Sequence, residues 1–108
     1  MGSENGSGLG GPQLPRRNAR VPLQAEVQLR RSGQRHYMVN VYDISPEGCR
    51  LEFVERPRLD ETVWVKLGSL ESIEANVCWV KGHDVGVEFV RPIHPAVFAT
   101  TVEKLKRG

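Results

Sequence analysis

Apolar and polar residues alternate with a period of two in six short segments of this chain, and each segment ends in turn-forming residues. In the first segment the apolar positions are all odd-numbered, from Val21 to Leu29. Because successive side chains of a β-strand point to opposite faces, this period predicts strands with one buried face. The predicted strands cover residues 21–29, 37–41, 49–53, 63–67, 73–79 and 85–89.

The spacing of apolar residues changes after Pro92. Phe98, Val102 and Leu105 follow the period of a helix, and Pro95 suits a first helical turn. We therefore predict a helix over about residues 95–106 that covers one face or end of the sheet. Six short strands with tight turns favour antiparallel pairing and closure, because a closed barrel exposes no strand edge. The expected fold is dominated by β-structure: a six-stranded antiparallel β-barrel with a short C-terminal α-helix and a flexible N-terminal arm.

The length of 108 residues suits one domain with one core. Residues 1–15 are rich in glycine and serine and predict a flexible tail or linker, whereas residues 16–108 form the predicted barrel domain. The chain has no apolar run long enough for a membrane span and no basic stretch followed by an apolar one at its N-terminus. We expect a monomeric cytoplasmic protein without membrane insertion.

Sequence signals for catalysis or metal binding are missing. His36, His83 and His94 are scattered without metal-ligand spacing, and neither a glycine-rich phosphate loop nor a nucleophile elbow is present. Cys49 and Cys78 are too few for a disulfide framework, and both are expected to be reduced and mostly buried. We therefore expect a binding module with no metal and no cofactor, and not an enzyme.

The stretch from residue 16 to residue 35 is rich in arginine and contains no lysine. The planar fork of arginine matches phosphate groups and the acceptor edge of guanine, whereas lysine acts as a point charge. A solvated basic arm is the alternative interpretation. The arginines are Arg16, Arg17, Arg20, Arg30, Arg31 and Arg35.

A second polar segment, residues 43–48 (Asp-Ile-Ser-Pro-Glu-Gly), separates the second and third predicted strands. It can be an ordinary hairpin turn in which Asp43 and Ser45 cap backbone amides and Gly48 has a positive φ. It can also present Asp43 and Ser45 to a ligand, and Pro46 favours that display because it biases Ser45 towards an extended backbone.

Arg-x-x-x-Arg at residues 16–20, followed by Asp-x-Ser-x-x-Gly at residues 43–48 of an expected six-stranded barrel, resembles the PilZ domain family of bacterial receptors for cyclic di-GMP. Residues 77–79 and 85–89 are similar to the later strands of that family, and the resemblance extends over about residues 16–106. It implies a cyclic di-GMP receptor in bacterial second-messenger signalling. The residues it assigns to the ligand are Arg16, Arg17, Arg20, Asp43, Ser45, Gly48 and Trp79.

The resemblance also implies roles for these residues. The three arginines before the first strand contact guanine edges and phosphates, and the acceptor-only carboxylate of Asp43 receives the N–H donors of guanine. Ser45 adds a polar contact, and Gly48 permits a sharp turn and close approach of the ligand. Trp79 keeps two interpretations: it stacks on a guanine, or it lies in the core, because it shares the phase of Val77.

Ligand binding is expected to fold the arginine arm across the barrel face and to create a surface for an unidentified downstream protein. Two other functions stay open. A small barrel with a basic first strand can bind single-stranded nucleic acid, although an aromatic content of 6% and the acidic Asp43 fit that function poorly. The chain can also be a PilZ-like protein-interaction module that does not bind the ligand.

Overall fold

Six antiparallel strands close into a barrel in the computed structural model of the chain, which describes residues 20–33 and 36–107. The strands follow one another around the barrel in the order β1-β2-β3-β6-β5-β4. The predicted barrel is confirmed. The predicted tail over residues 1–15, together with Arg16, Arg17 and Arg35, lies outside the described residues. The strands are β1 (Val21–Arg31), β2 (His36–Ser45), β3 (Gly48–Glu52), β4 (Thr62–Lys66), β5 (Ile73–Lys81) and β6 (Asp84–Phe89).

The core fills the inside of the barrel with the inward residues of all six strands. Full burial of one aliphatic or aromatic side chain contributes roughly 1.5–3 kcal/mol, so this interior is the main source of stability. Phe53, which directly follows β3, is completely buried, as the alternation predicts. The largest fully buried side chains are Phe53, Leu29, Ile44, Leu51 and Leu67.

The helix α1 (Pro95–Lys106) packs on the barrel at β1. It begins where predicted, because the Nδ1 atom of His94 accepts a hydrogen bond from the backbone N–H of Ala96 at 3.1 Å and Pro95 occupies the first turn. Val102 is buried, and Phe98 and Leu105 pack against the core. The helix therefore covers the barrel with the apolar face that its sequence predicts.

Strand pairing is irregular at three places, one between Pro22 and Ala25 of β1 and two, in β2 and β5, that change which side chains face outward. Val41 and Asp43 of β2 pair with Leu51 and Arg50 of β3, so Tyr42 is an extra residue. Val77 of β5 pairs with Val87 of β6, but Trp79 already pairs with Gly86. Cys78 and Trp79 therefore both lie opposite Gly86. A β-bulge of this kind changes the face on which the following residues lie.

The bulge at Cys78 decides the position of Trp79. Beyond it Val80, which pairs with Val85, packs against the core, and Trp79 is half-buried outside the core cluster. The shared phase of Trp79 and Val77 therefore does not place Trp79 in the core. The bulge also corrects the expectation for the two thiols, since Cys49 is buried but Cys78 is exposed.

Candidate functional site

A row of residues crosses four neighbouring strands on the outer surface of the barrel. Asp43 of β2 pairs with Arg50 of β3, Arg50 pairs with Gly86 of β6, and Gly86 pairs with Trp79 of β5. Because neighbouring strands lie roughly 4.8 Å apart, three strand steps separate the two ends of this row by roughly 14 Å along the curved surface of the barrel. We call Asp43, Arg50, Gly86 and Trp79 the cross-strand row.

Asp43 lies between two guanidinium groups. Its Oδ1 atom is 3.6 Å from Nη1 of Arg20, and its Oδ2 atom is 3.2 Å from Nε of Arg50. Arg20 directly precedes β1 and reaches Asp43 because Pro22 of β1 pairs with Asp43. The Asp43 side chain is only 15% exposed, so solvent screens these charges less than it would at an open surface. The structure thus brings two residues predicted for the site, Arg20 and Asp43, into one ionic cluster.

The cross-strand row also contains polar atoms whose hydrogen-bonding capacity is unused. Across residues 20–33 and 36–107, the buried side-chain polar atoms without a hydrogen-bond partner are Asp43 Oδ1, Arg50 Nε and Trp79 Nε1. The 3.2 Å contact between Arg50 and Asp43 is therefore ionic and lacks hydrogen-bond geometry. Since buried polar groups are usually hydrogen-bonded, their concentration in one row marks a place suited to a polar ligand.

Trp79 rests on the backbone of Gly86. A Cβ atom at position 86 would overlap the indole atoms Nε1 and Cε2 and would lie 2.7 Å from Cδ1. Real Cβ contacts are not this short, so the position requires glycine as long as the indole keeps its place. Gly86 does not have a positive φ. Glycine is therefore needed here for the close approach of the indole to the backbone and not for an unusual backbone conformation.

Ser45 and Gly48 belong to the tight connection between β2 and β3. The Ser45 hydroxyl accepts a hydrogen bond from the Glu47 backbone N–H at 3.2 Å and donates one to Glu47 Oε1 at 3.3 Å. Ser45 is fully buried, so these contacts are those of the turn-capping interpretation. The carboxylate of Asp43, in contrast, contacts guanidinium groups.

The prediction of a positive φ at Gly48, made under the hairpin-turn interpretation, is wrong. The described glycines with positive φ are Gly33, Gly68 and Gly82. The chain reverses direction at Pro46 and Glu47, so Gly48 is already a strand residue that pairs with Ser45 and Glu88. The strands consequently extend further into the segment 43–48 than its turn-forming composition indicates.

Cys78 lies beside the row on the outer face. Its thiol donates a hydrogen bond to the Gly86 carbonyl oxygen at 3.2 Å. Partial burial raises the pKa of this thiol, and the carboxylate of Glu88 raises it further, although Arg20 nearby lowers it. The thiol is therefore protonated near neutral pH and acts as a donor that ties the bulge of β5 to β6.

Sequence reasoning missed two members of the row, Arg50 and Gly86. Arg50 lies two residues after Gly48 on the outward phase of β3, and its guanidinium lies over the ring of Tyr42 at 5.1 Å from the centroid. Continuing the alternation past the Asp-x-Ser-x-x-Gly motif would have found it. Nothing in the local sequence would have revealed that Gly86 supports Trp79, because their pairing depends on the bulge.

The arginines at the end of β1 have other contacts. Arg31 donates two hydrogen bonds to Glu61, from Nε to Oε2 at 2.6 Å and from Nη2 to Oε1 at 2.9 Å. Arg30 lies over the ring of Trp64 at 4.0 Å from its centroid. Both lie at the opposite end of β1 from Arg20, so the structure separates them from the cross-strand row.

Comparison with protein families supplies the decisive observation. The model of the PilZ domain matches residues 15–106, a range that includes every residue of the row and both arginine and aspartate motifs. This chain belongs to the PilZ domain family. PilZ domains form a family of cyclic di-GMP receptors, and they are ligand-binding regulatory modules rather than enzymes.

A solved structure agrees with this membership. The PilZ domain of CeSA from a cellulose-synthesizing bacterium superposes with a TM-score of 0.57 at 14% sequence identity, over 84% of this chain and 97% of that one. At this identity the likeness concerns the fold. Comparison with curated protein sequences finds no match.

Two further features of the described part of this PilZ domain concern metals and membranes. No cluster of three or more histidine, cysteine or acidic residues there has the arrangement of a metal site. Its helix is too short and too polar to cross a membrane.

Proposed function

We propose that this PilZ domain is a cytoplasmic receptor for cyclic di-GMP and that the ligand binds on the outer barrel face around the cross-strand row. The observation that carries the proposal is the Asp43 carboxylate between Arg20 and Arg50, with unused polar atoms on Asp43 and Arg50 and a half-buried indole at the other end of the cross-strand row. Family membership supports the identity of the ligand.

The chemistry of the row suits this ligand. Cyclic di-GMP carries two phosphates and two guanines, and guanine presents acceptors at O6 and N7 and donors at N1 and N2. Asp43 accepts from the guanine donors, while the fork of Arg20 donates to a guanine edge or a phosphate. Arg16 and Arg17, which lie outside the described residues, add positive charge for the remaining anionic groups. Ser45 and Gly48 support Asp43 by closing the adjacent turn.

Trp79 supplies an aromatic surface at the other end of the row. Its position outside the core makes stacking on a guanine the interpretation we adopt, and such stacking contributes about 1–3 kcal/mol per base. The row therefore offers hydrogen bonding at one end and stacking at the other.

The contact between Arg20 and Asp43 anchors the end of the arginine arm to the barrel before the ligand arrives. In our proposal the ligand replaces part of this contact and draws residues 16–20 across the face, and a downstream protein then recognises the changed surface. Ordering the arm reduces the net affinity, because its conformational entropy is lost on binding.

Isothermal titration calorimetry with cyclic di-GMP tests the proposal on wild type, Arg20→Ala, Asp43→Ala and Arg30→Ala. Arg30 is the matched control, since it is an outward arginine over an aromatic ring but lies away from the row. We expect the first two variants to bind at least tenfold more weakly and Arg30→Ala to bind like wild type.

Two results would contradict the proposal. Absence of cyclic di-GMP binding by the wild type would favour a protein-interaction module. Salt-dependent binding of random oligonucleotides without preference for cyclic di-GMP would favour a single-strand nucleic-acid binder.

A further inference from the structure

The Arg50 side chain contacts two neighbouring residues, yet one of its N–H donors has no hydrogen-bond partner. Its Nε atom lies 3.2 Å from Asp43 Oδ2, and its guanidinium lies over the Tyr42 ring. Nε has no hydrogen-bond partner, while 38% of the side chain is exposed. The guanidinium is therefore positioned by its surroundings, and part of it is accessible from the outer face.

Asp43 and Arg50 place an acceptor group directly beside a donor group. Two adjoining edges of guanine carry the complementary order: the donors N2–H and N1–H, followed by the acceptors O6 and N7. A carboxylate beside a guanidinium can contact all four groups of a single base, because the carboxylate accepts two hydrogen bonds and the fork donates two.

We propose that Arg50 is a specificity-determining residue that reads the O6 and N7 atoms of the guanine whose N1–H and N2–H groups bind Asp43. The inference rests on the proposed function and adds to it a residue, Arg50, and the guanine edge that this residue contacts. Adenine is rejected at both positions, because its amino group donates where guanine O6 accepts and its N1 atom lacks a proton. The pair therefore distinguishes cyclic di-GMP from cyclic di-AMP.

A purely structural role for Arg50, as counter-ion of Asp43, predicts different behaviour. Lysine at position 50 keeps a positive charge beside Asp43 but has no planar fork. A counter-ion role is therefore largely preserved in Arg50→Lys, whereas the two parallel hydrogen bonds of the fork to O6 and N7 are replaced by weaker contacts of one ammonium group.

The test compares cyclic di-GMP with its 7-deazaguanine analogue, which lacks the N7 acceptor, by calorimetry on wild type, Arg50→Lys, Arg50→Gln and the matched control Arg30→Lys. We expect wild type and Arg30→Lys to prefer cyclic di-GMP over the analogue by about tenfold. In Arg50→Gln, cyclic di-GMP binds about tenfold more weakly and the preference falls to about one, and in Arg50→Lys both the affinity and the preference decrease. Loss of the preference specifically at position 50 identifies the residue that contacts N7.

Two results overturn the inference about Arg50 but leave the proposed function intact. They are equal binding of both ligands by the wild type, and an unchanged preference for cyclic di-GMP over the analogue in the two Arg50 variants. If a further variant, Arg20→Gln, abolishes the preference while Arg50→Gln retains it, the residue that contacts N7 is Arg20 and the inference about Arg50 is wrong. Absence of cyclic di-GMP binding by the wild type overturns the proposed function as well, so the two failures are distinguishable.

Discussion

Adding a single methyl group at Gly86 tests how the barrel positions Trp79. The backbone of Gly86 does not have a positive φ, so alanine is acceptable to the main chain itself. The new Cβ overlaps Nε1 and Cε2 of the indole, which therefore has to leave its place on β6. Overpacking of this kind costs about 1–3 kcal/mol, and we expect Gly86→Ala to lower the free energy of unfolding by that amount.

Urea denaturation and tryptophan emission measure the two consequences. The chain contains two tryptophans, so the Trp64→Phe background leaves Trp79 as the only reporter. In that background Gly86→Ala should shift the emission to longer wavelength, because the displaced indole is more exposed to water. Cyclic di-GMP should also bind roughly 5–150-fold more weakly, the equivalent of one lost stacking interaction of about 1–3 kcal/mol.

The control is a double-mutant cycle with Trp79→Ala. Once the indole is absent, a Cβ atom at position 86 no longer meets it, so Gly86→Ala should cost less than about 0.5 kcal/mol in the Trp79→Ala background. The reasoning is refuted if the cost is the same in both backgrounds, or if Gly86→Ala leaves the stability and the emission of Trp79 unchanged.

The remaining predictions concern charge and packing. Asp43→Lys should abolish calorimetric binding of cyclic di-GMP while circular dichroism shows a folded barrel. The lysine adds positive charge and places N–H donors opposite the N–H donors of guanine, so retained binding would contradict the role of Asp43. Hydrogen bonds from Arg31 hold the pKa of the Glu61 carboxyl below its ordinary value of 4.5, so this pair stabilises the fold above that pH and ceases to do so as the pH falls through the lowered pKa. Glu61→Gln should therefore cost about 2 kcal/mol near neutral pH and show a weaker loss of stability below pH 4.5 than wild type in urea titrations, and identical pH profiles would disprove the role of the pair. Phe53→Ala should cost about 3–5 kcal/mol in the same urea assay, because the side chain is fully buried, and a loss below about 1 kcal/mol would show that the barrel refills the space.

Much of the barrel follows from local sequence. Alternation assigns Val27 and Leu29 to the inside of β1 without reference to any other strand, and the structure buries both. Pro95 and the spacing of Phe98, Val102 and Leu105 are local signals, and they predict the helix at its observed bounds. Arg20 and Asp43 were singled out by motif, and the pairing of β1 with β2 brings them together.

Tertiary structure alone decided how the outer face is composed. A period of two tells which face of a strand a residue occupies, but the residue opposite it depends on register, and register depends on hydrogen bonds between segments distant in sequence. One extra residue, Cys78, removed Trp79 from the phase of Val77 and placed it on Gly86. The local sequence thus determines the alternation of the strands. The cross-strand row of Asp43, Arg50, Gly86 and Trp79 depends on tertiary structure, because barrel closure and two bulges set the register of the four strands that carry it.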